Sequence, residues 1–245
     1  MSVQPQSGRS ETMDHFPLLI ITGRPAAGKS EVIDYLRNIP AAERLARFHI
    51  GEFEELDDFL YVWETFEIDD ILTRHGRPRL WTDEKYFFRD PFVWNLYIER
   101  ISLEYRKRIA RDPSYHRNKT VLVEFARGGE HGIEEALGFL HEEVLARARI
   151  VYIKVSYEES LRRNRRRARK GEEASILHHS LPDEKMAYYY RTNDWETLAG
   201  TNPEHIPVRG HSIPYAVFEN EPEKTGDPTL LGEELARVTD KLWKA

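Results

Sequence analysis

"IITGRPAAGKS", residues 20–30, sets an apolar run against a loop of two glycines, a proline and a lysine. The order Gly23-x-x-x-x-Gly28-Lys29-Ser30 is the form of a phosphate-cradling P-loop, the Walker A pattern. Upstream, Leu18, Leu19, Ile20 and Ile21 form a continuous run rich in branched residues, which predicts a parallel strand buried on both faces. Downstream, Val32, Ile33, Tyr35 and Leu36 recur at helical spacing, and the pattern stops before Pro40. A loop at such a junction aims backbone N–H groups and the positive end of a helix dipole at one anion. Gly23, Arg24, Pro25, Ala26, Ala27 and Gly28 are therefore expected to wrap a nucleotide's phosphates. Lys29 would reach the terminal phosphates and Ser30 would ligate Mg²⁺. The competing reading, a surface glycine turn ahead of an ordinary helix, does not account for the buried strand before it.

Composition bounds the rest. At 245 residues the chain is long enough for one large domain, expected over residues 15–245 after a loose polar tail at 1–14. The absence of cysteine excludes disulfides, thiolate zinc sites and cysteine nucleophiles, and suits a reducing, cytoplasmic setting. No apolar stretch approaches membrane-spanning length. A net charge of −6 argues against wholesale nucleic-acid binding and leaves one basic patch to explain, at residues 162–170.

Strand patterns follow at 46–50 ("ARFHI"), 120–125 ("TVLVEF"), 150–156 ("IVYIKVS") and 215–220 ("YAVFEN"). Helical patterns lie at roughly 91–111, 131–147, 157–170, 183–199 and 229–243. Strands alternating with helices predict a doubly wound α/β fold with a parallel sheet. Two segments break the alternation: an insert at about 51–90, dense in acids and aromatics, and a lid region at about 157–182 that runs on into the next helix. An acceptor is expected between them.

Glu124 ends the strand "TVLVEF", with Arg127 three residues on. A strand-end carboxylate beside a P-loop can hold Mg²⁺ or take a proton from an attacking hydroxyl, and a nearby arginine can clamp a phosphate. A strand-end salt bridge is the plainer use of the pair. "LRRNRRRARKG" puts six arginines and one lysine into nine positions. Arg162, Arg166 and Arg169 share one helix face, and Arg163, Arg167 and Lys170 its neighbour. Such crowding needs anions, either a phosphate or acids of the chain such as Glu158, Glu159, Glu172 and Glu173. In the insert, Glu52 and Asp83 are candidates for meeting an acceptor hydroxyl. The insert's tryptophans and tyrosines suit core packing better than base stacking. The histidines at 178, 179, 205 and 211 show no metal-ligand spacing.

With "GRPAAGKS", "VEFARG" and "IVYIKVSYEESLRRNRRRARKGEE" in place, the chain resembles the P-loop kinases of the nucleoside monophosphate kinase and deoxynucleoside kinase group over most of residues 16–243. The resemblance implies a five-stranded parallel sheet in order 2-3-1-4-5, a mobile arginine-rich lid and an acceptor-binding insert. It implies that Lys29, Glu124, Arg127, Arg162 and Arg166 serve catalysis, that Arg169 joins the loop in holding ATP, and that Ser30 and Glu124 hold Mg²⁺. Arg127 departs from the group's acid–arginine spacings, which leaves the acceptor open. The expected function is ATP- and Mg²⁺-dependent phosphoryl transfer to a small hydroxyl or phosphate acceptor, nucleoside-like compounds first. The alternatives are a regulatory NTPase without an acceptor and a nucleic-acid-end kinase. No Asn-Lys-x-Asp guanine-reading motif supports the former, since Asn118, Lys119 and Thr120 are followed by Val121.

Overall fold

The apolar run at residues 18–21 becomes β1 (Leu18–Gly23), buried at every position. The structure, a computed structural model, describes residues 14–168 and 180–245. Among these, β1 is joined by β2 (Glu52–Asp57), β3 (Lys119–Phe125), β4 (Ala148–Lys154), β5 (His205–Val208) and β6 (His211–Glu219) in one sheet of order β2-β3-β1-β4-β6-β5. All pairings are parallel except β5 with β6.

The expected five-stranded sheet is therefore corrected to six strands, in order 2-3-1-4-6-5. The parallel part keeps the anticipated arrangement, and the sixth strand is the short edge "HIPV". It turns into β6 through Arg209 and Gly210, both at positive φ, as a tight hairpin requires. Four residues containing Pro207 carry almost no strand signal, and an edge is where a sheet tolerates proline.

The second strand also moves. Residues 46–48, read as strand, finish helix α2 (Ala41–Phe48), and the strand begins at Glu52. Arg44 of α2 is buried and donates to the carbonyls of Leu36 and Gly51, which clamps this helix between the end of α1 (Lys29–Asn38) and the start of β2.

Alternation along β1 builds the two halves of the core. Leu18 and Ile20 pack with Val121, Val123 and Ile150 beneath α4 (Val93–Arg111) and α5 (Ile133–Gly138). Leu19 and Ile21 pack with Leu122 and Val151 against α1 and α10 (Pro228–Lys244) on the other face. The helix expected over 131–147 divides into α5 and α6 (Glu142–Leu145), and that over 183–199 into α8 (Asp183–Tyr190) and α9 (Trp195–Ala199). Asp194 explains the second break, since its carboxylate accepts from the N–H groups of Ile133 and Glu134 at the start of α5, at 2.8 Å each. The basic helix is α7 (Tyr157–Ala168).

The 51–90 insert contributes β2, then α3 (Phe59–Arg74), then an irregular loop running to α4. Asp69 of α3 is fully buried, and its carboxylate accepts from the N–H groups of Leu80, Trp81 and Thr82 and from the Thr82 hydroxyl. Burial alone would raise its pKa, but the donors of Thr82, Leu80 and Trp81 hold it below the ordinary value. Replacing Asp69 by alanine should free the loop locally. Amide exchange at Leu80 and Thr82 is expected to speed up by about a hundredfold, the equivalent of ~3 kcal/mol of lost hydrogen bonding, while exchange within β1 stays unchanged. Unchanged protection at residues 80–82 would contradict this anchoring.

Candidate active site

The P-loop lies between β1 and α1, and its own geometry explains its glycines. Gly28 has φ 114°, and a Cβ there would meet the Asn220 amide at 2.6 Å. Gly23 has φ 156°, and its Cβ would meet the Ile153 carbonyl at 2.5 Å. Two of the loop's carbonyls are turned outward and held. That of Pro25 accepts from the Ser160 hydroxyl at 2.6 Å, and that of Ala27 from Asn220 Nδ2 at 2.7 Å and Arg163 at 3.4 Å. Because a carbonyl and the next N–H point opposite ways across a planar peptide, the N–H groups of Ala26 and Gly28 face into the loop. This is the arrangement an anion needs.

Lys29, buried at the start of α1, places its amine 3.2 Å from the Arg24 carbonyl and 3.8 Å from Glu124 Oε1. Ser30 Oγ donates to the same Glu124 oxygen at 3.5 Å. Glu124 stands in register with Ile21 of β1 on one side and Asp57 of β2 on the other. The three expected residues Lys29, Ser30 and Glu124 thus meet at the C-terminal edge of the sheet.

Two residues that sequence reasoning missed complete this corner. Carboxylate oxygens of Glu55, Asp57 and Glu124 all lie within 4.8 Å of one another. Burial pushes Asp57 up to about 8, with the negative charges of Glu124 and Asp58 adding to the rise. Burial likewise pushes Glu124 up to about 7, against the pull of the Lys29 amine. Glu55 is raised by burial too, although Arg37 pairs with it at 2.7 Å. Crowded oxygen donors whose ionised forms are penalised in this way fit a hard divalent cation such as Mg²⁺, with the Ser30 hydroxyl as a neutral ligand. Glu52, the candidate chosen from sequence, lies at the other end of β2, opposite Lys119. Asp83 is occupied in its own turn, accepting from the N–H groups of Lys85 and Phe87. Had β2 been read at 52–57 rather than 46–50, Asp57 would have stood out as the strand-end acid beside Glu124.

The arginines divide differently from expectation. Arg127 is buried against Asp58, 2.5 Å away, donates to the Trp94 carbonyl at 2.9 Å and stacks its guanidinium 5.0 Å from the Trp94 ring. It lines the cavity as part of a neutralised pair. Arg162 pairs with Glu159 and Arg166 with Glu223, each at 2.6 Å, and neither lines the cavity. Acids of the chain balance both of these arginines, and the Arg162 and Arg163 contacts hold Glu159 down to about 2. The neighbouring face turns inward: Arg163 grips the loop, and Arg167 lines the cavity while pairing with Glu31 at 2.6 Å. Arg169 lies outside the described residues, as do the histidines at 178 and 179, and His205 and His211 sit on the β5–β6 hairpin.

Beyond the acid corner opens a cavity of about 170 Å³. The P-loop and strand ends form one side, and α3, the 76–90 loop, α4 and α8 contribute Phe66, Phe88, Trp94 and Tyr189 to the other. Among the described residues no helix is long and apolar enough to cross a membrane.

No family model and no curated protein matches the chain. Solved structures align along nearly its whole length at low identity. A gluconokinase from Sinorhizobium meliloti 1021 is 15% identical, with 94% of this chain and 98% of that one covered and a TM-score of 0.47. Chaetomium thermophilum Kti12 in complex with ADP-AlF3 is 17% identical over 94% and 98%, with a TM-score of 0.46. TT1252 from Thermus thermophilus is 18% identical over 91% and 95%, with a TM-score of 0.48.

The acid corner carries a pH signature. Asp57 and Glu124 have pKa values raised above the ordinary 3.8 and 4.5, so their contribution to stability is complete below those values and is lost as pH rises through about 7 to 8. Without divalent metal, Tm is expected to fall from about pH 4 to about pH 8 and to level off above it. Asp57→Asn should flatten that fall and at pH 8.5 melt roughly 3 °C above the parent. Parallel Tm curves for the two proteins would contradict the buried, raised carboxyl.

Proposed function

We propose that the chain is an ATP- and Mg²⁺-dependent phosphotransferase that moves the γ-phosphoryl group to a small acceptor held in the aromatic cavity. The observation that supports it most is the convergence of Lys29, Ser30, Asp57 and Glu124 at one side of a cavity whose other side is built by separate elements. A nucleotide switch needs the phosphate loop but has no use for a second, enclosed wall. A nucleic-acid-end kinase would need a free basic face, whereas Arg162, Arg163, Arg165, Arg166 and Arg167 each pair with a carboxylate of the chain.

The loop N–H groups and Lys29 hold the β- and γ-phosphates. Ser30 and Glu124 would hold the metal, with Asp57 and Glu55 beside them. Mg²⁺ would supply positive charge that offsets the charge developing on the phosphates. Asp57 faces the acceptor, where it orients the attacking hydroxyl and takes its proton. Arg167 exchanges Glu31 for the transferring group, the part first expected of Arg162, Arg166 and Arg169. Arg127, locked to Asp58, shapes the acceptor wall. Most of the rate then comes from positioning and preorganised charge.

The direct test is ATP consumption with Mg²⁺ across nucleosides, nucleoside monophosphates, sugars, small alcohols and 5′-hydroxyl oligonucleotides. One acceptor class is expected to raise turnover well above the acceptor-free rate. Lys29→Ala and Asp57→Asn should each lower it by about a hundredfold or more. Full turnover in the Lys29 variant, or ATP binding that no acceptor accelerates, would count against transfer.

A further inference from the structure

The acceptor side of the cavity holds two buried cations that differ in one respect. Arg127 has its counter-charge, Asp58, at 2.5 Å. Lys185 of α8 has none: it is 8% exposed, and no carboxylate among the described residues lies within 4 Å of its amine. The nearest acids are engaged elsewhere, Glu184 with Lys85 at 3.9 Å and Asp83 with the backbone of its own turn.

The neighbours of Lys185 all belong to the insert. Its amine donates one hydrogen bond, to the Tyr86 carbonyl at 3.0 Å, and sits 5.2–5.5 Å from the ring centroids of Phe66, Tyr86 and Phe87. Three aromatic faces recover part of the cost of removing an ammonium from water, and one carbonyl recovers a little more. An ammonium has three N–H donors, so two remain for another partner. Burial pushes the amine below its ordinary pKa. A desolvated cation with unused donors on a cavity wall is completed by an anion arriving with the ligand.

We propose that Lys185 binds an anionic group, carboxylate or phosphate, on the acceptor, which is therefore a small, flat-bodied hydroxyl compound carrying negative charge away from its reacting hydroxyl. This deepens the kinase reading and rests on it. The flat body follows from the aromatic rings of Phe66, Phe88, Trp94 and Tyr189, whose faces and edges line the cavity wall. The cavity of about 170 Å³ is shared with the P-loop side that would take the phosphates, so the acceptor is small.

Calorimetric titration of the full chain tests this with three probes of one shape: 4-(hydroxymethyl)benzoate, 4-(hydroxymethyl)phenyl phosphate and the neutral 4-(hydroxymethyl)benzamide. At least one anion is expected to bind tenfold or more tighter than the amide, and the tighter of the two anions names the acceptor's charged group. Lys185→Met should erase the preference, while Lys185→Arg retains most of it, and a fluorescent ATP analogue should bind all three proteins equally. Equal binding of amide and anions, no binding of any probe, or a preference that survives in Lys185→Met would each overturn the proposal. A merely structural lysine would lower Tm on substitution without changing the anion-to-amide ratio. The two readings fail separately: an intact anion preference without ATP binding sinks the kinase reading alone, and Lys29-dependent transfer without an anion preference sinks this one alone.

Discussion

Three carboxylates with oxygens within 4.8 Å of one another, two of them on neighbouring strands in register, form an arrangement a sheet edge does not hold for stability's sake. Bringing Asp57 and Glu124 together costs free energy through lost hydration and mutual repulsion, and the Lys29 amine 3.8 Å from Glu124 offsets only part of it. The fold holds them there because β2, β3 and β1 are parallel neighbours, which forces their C-terminal ends, and the P-loop after β1, to one edge. A stored charge conflict at such an edge is what the proposed metal and nucleotide would relieve.

Opposite that corner, polar anchors act together with an apolar cluster of Val62, Phe88, Val93 and Tyr97 to set the aromatic wall. Asp69 collects four donors and so holds the loop that carries Tyr86, Phe87 and Phe88. Arg24 of the P-loop donates to the Tyr190 carbonyl at the end of α8, and Lys185 of α8 donates to the Tyr86 carbonyl, so loop, helix and insert form a closed ring of contacts around the cavity. The P-loop and the aromatic wall are therefore mechanically joined through α8. Arg127 and Asp58 neutralise each other beneath this ring, whereas Lys185 has no carboxylate within 4 Å among the described residues.

What could be read from sequence follows from how each element is buried. β1, β3 and β4 have neighbours on both sides and helices on both faces, so they appear as unbroken runs of branched residues, and the P-loop between β1 and α1 is legible for the same reason. β2 pairs with β3 alone, and an edge strand can carry acids, so "EFEELD" looks like a solvated surface while the apolar end of α2 looks like the strand. That exchange hid Asp57 and Glu55 and promoted Glu52. The face of α7 that turns inward is decided by Ser160, Arg163 and Asn220 meeting the P-loop carbonyls, contacts far apart in sequence, so periodicity alone could not choose Arg167 over Arg162 and Arg166. Lys185 carries no local signal, because its role depends on aromatic rings about a hundred residues earlier in the chain.

The central claim is that the acid corner and the P-loop form one metal–phosphate centre. A crystal structure of the full chain grown with Mn²⁺ and a non-hydrolysable ATP analogue tests it most directly, because anomalous scattering locates the metal independently of the phases used for the protein. The account predicts a Mn²⁺ peak within coordinating reach of Ser30 Oγ and the Glu124 carboxylate, with Asp57 beside it and the analogue's β- and γ-phosphates against Lys29. A metal bound elsewhere, or phosphates lying away from residues 23–30 with the acid corner still metal-free, would contradict it.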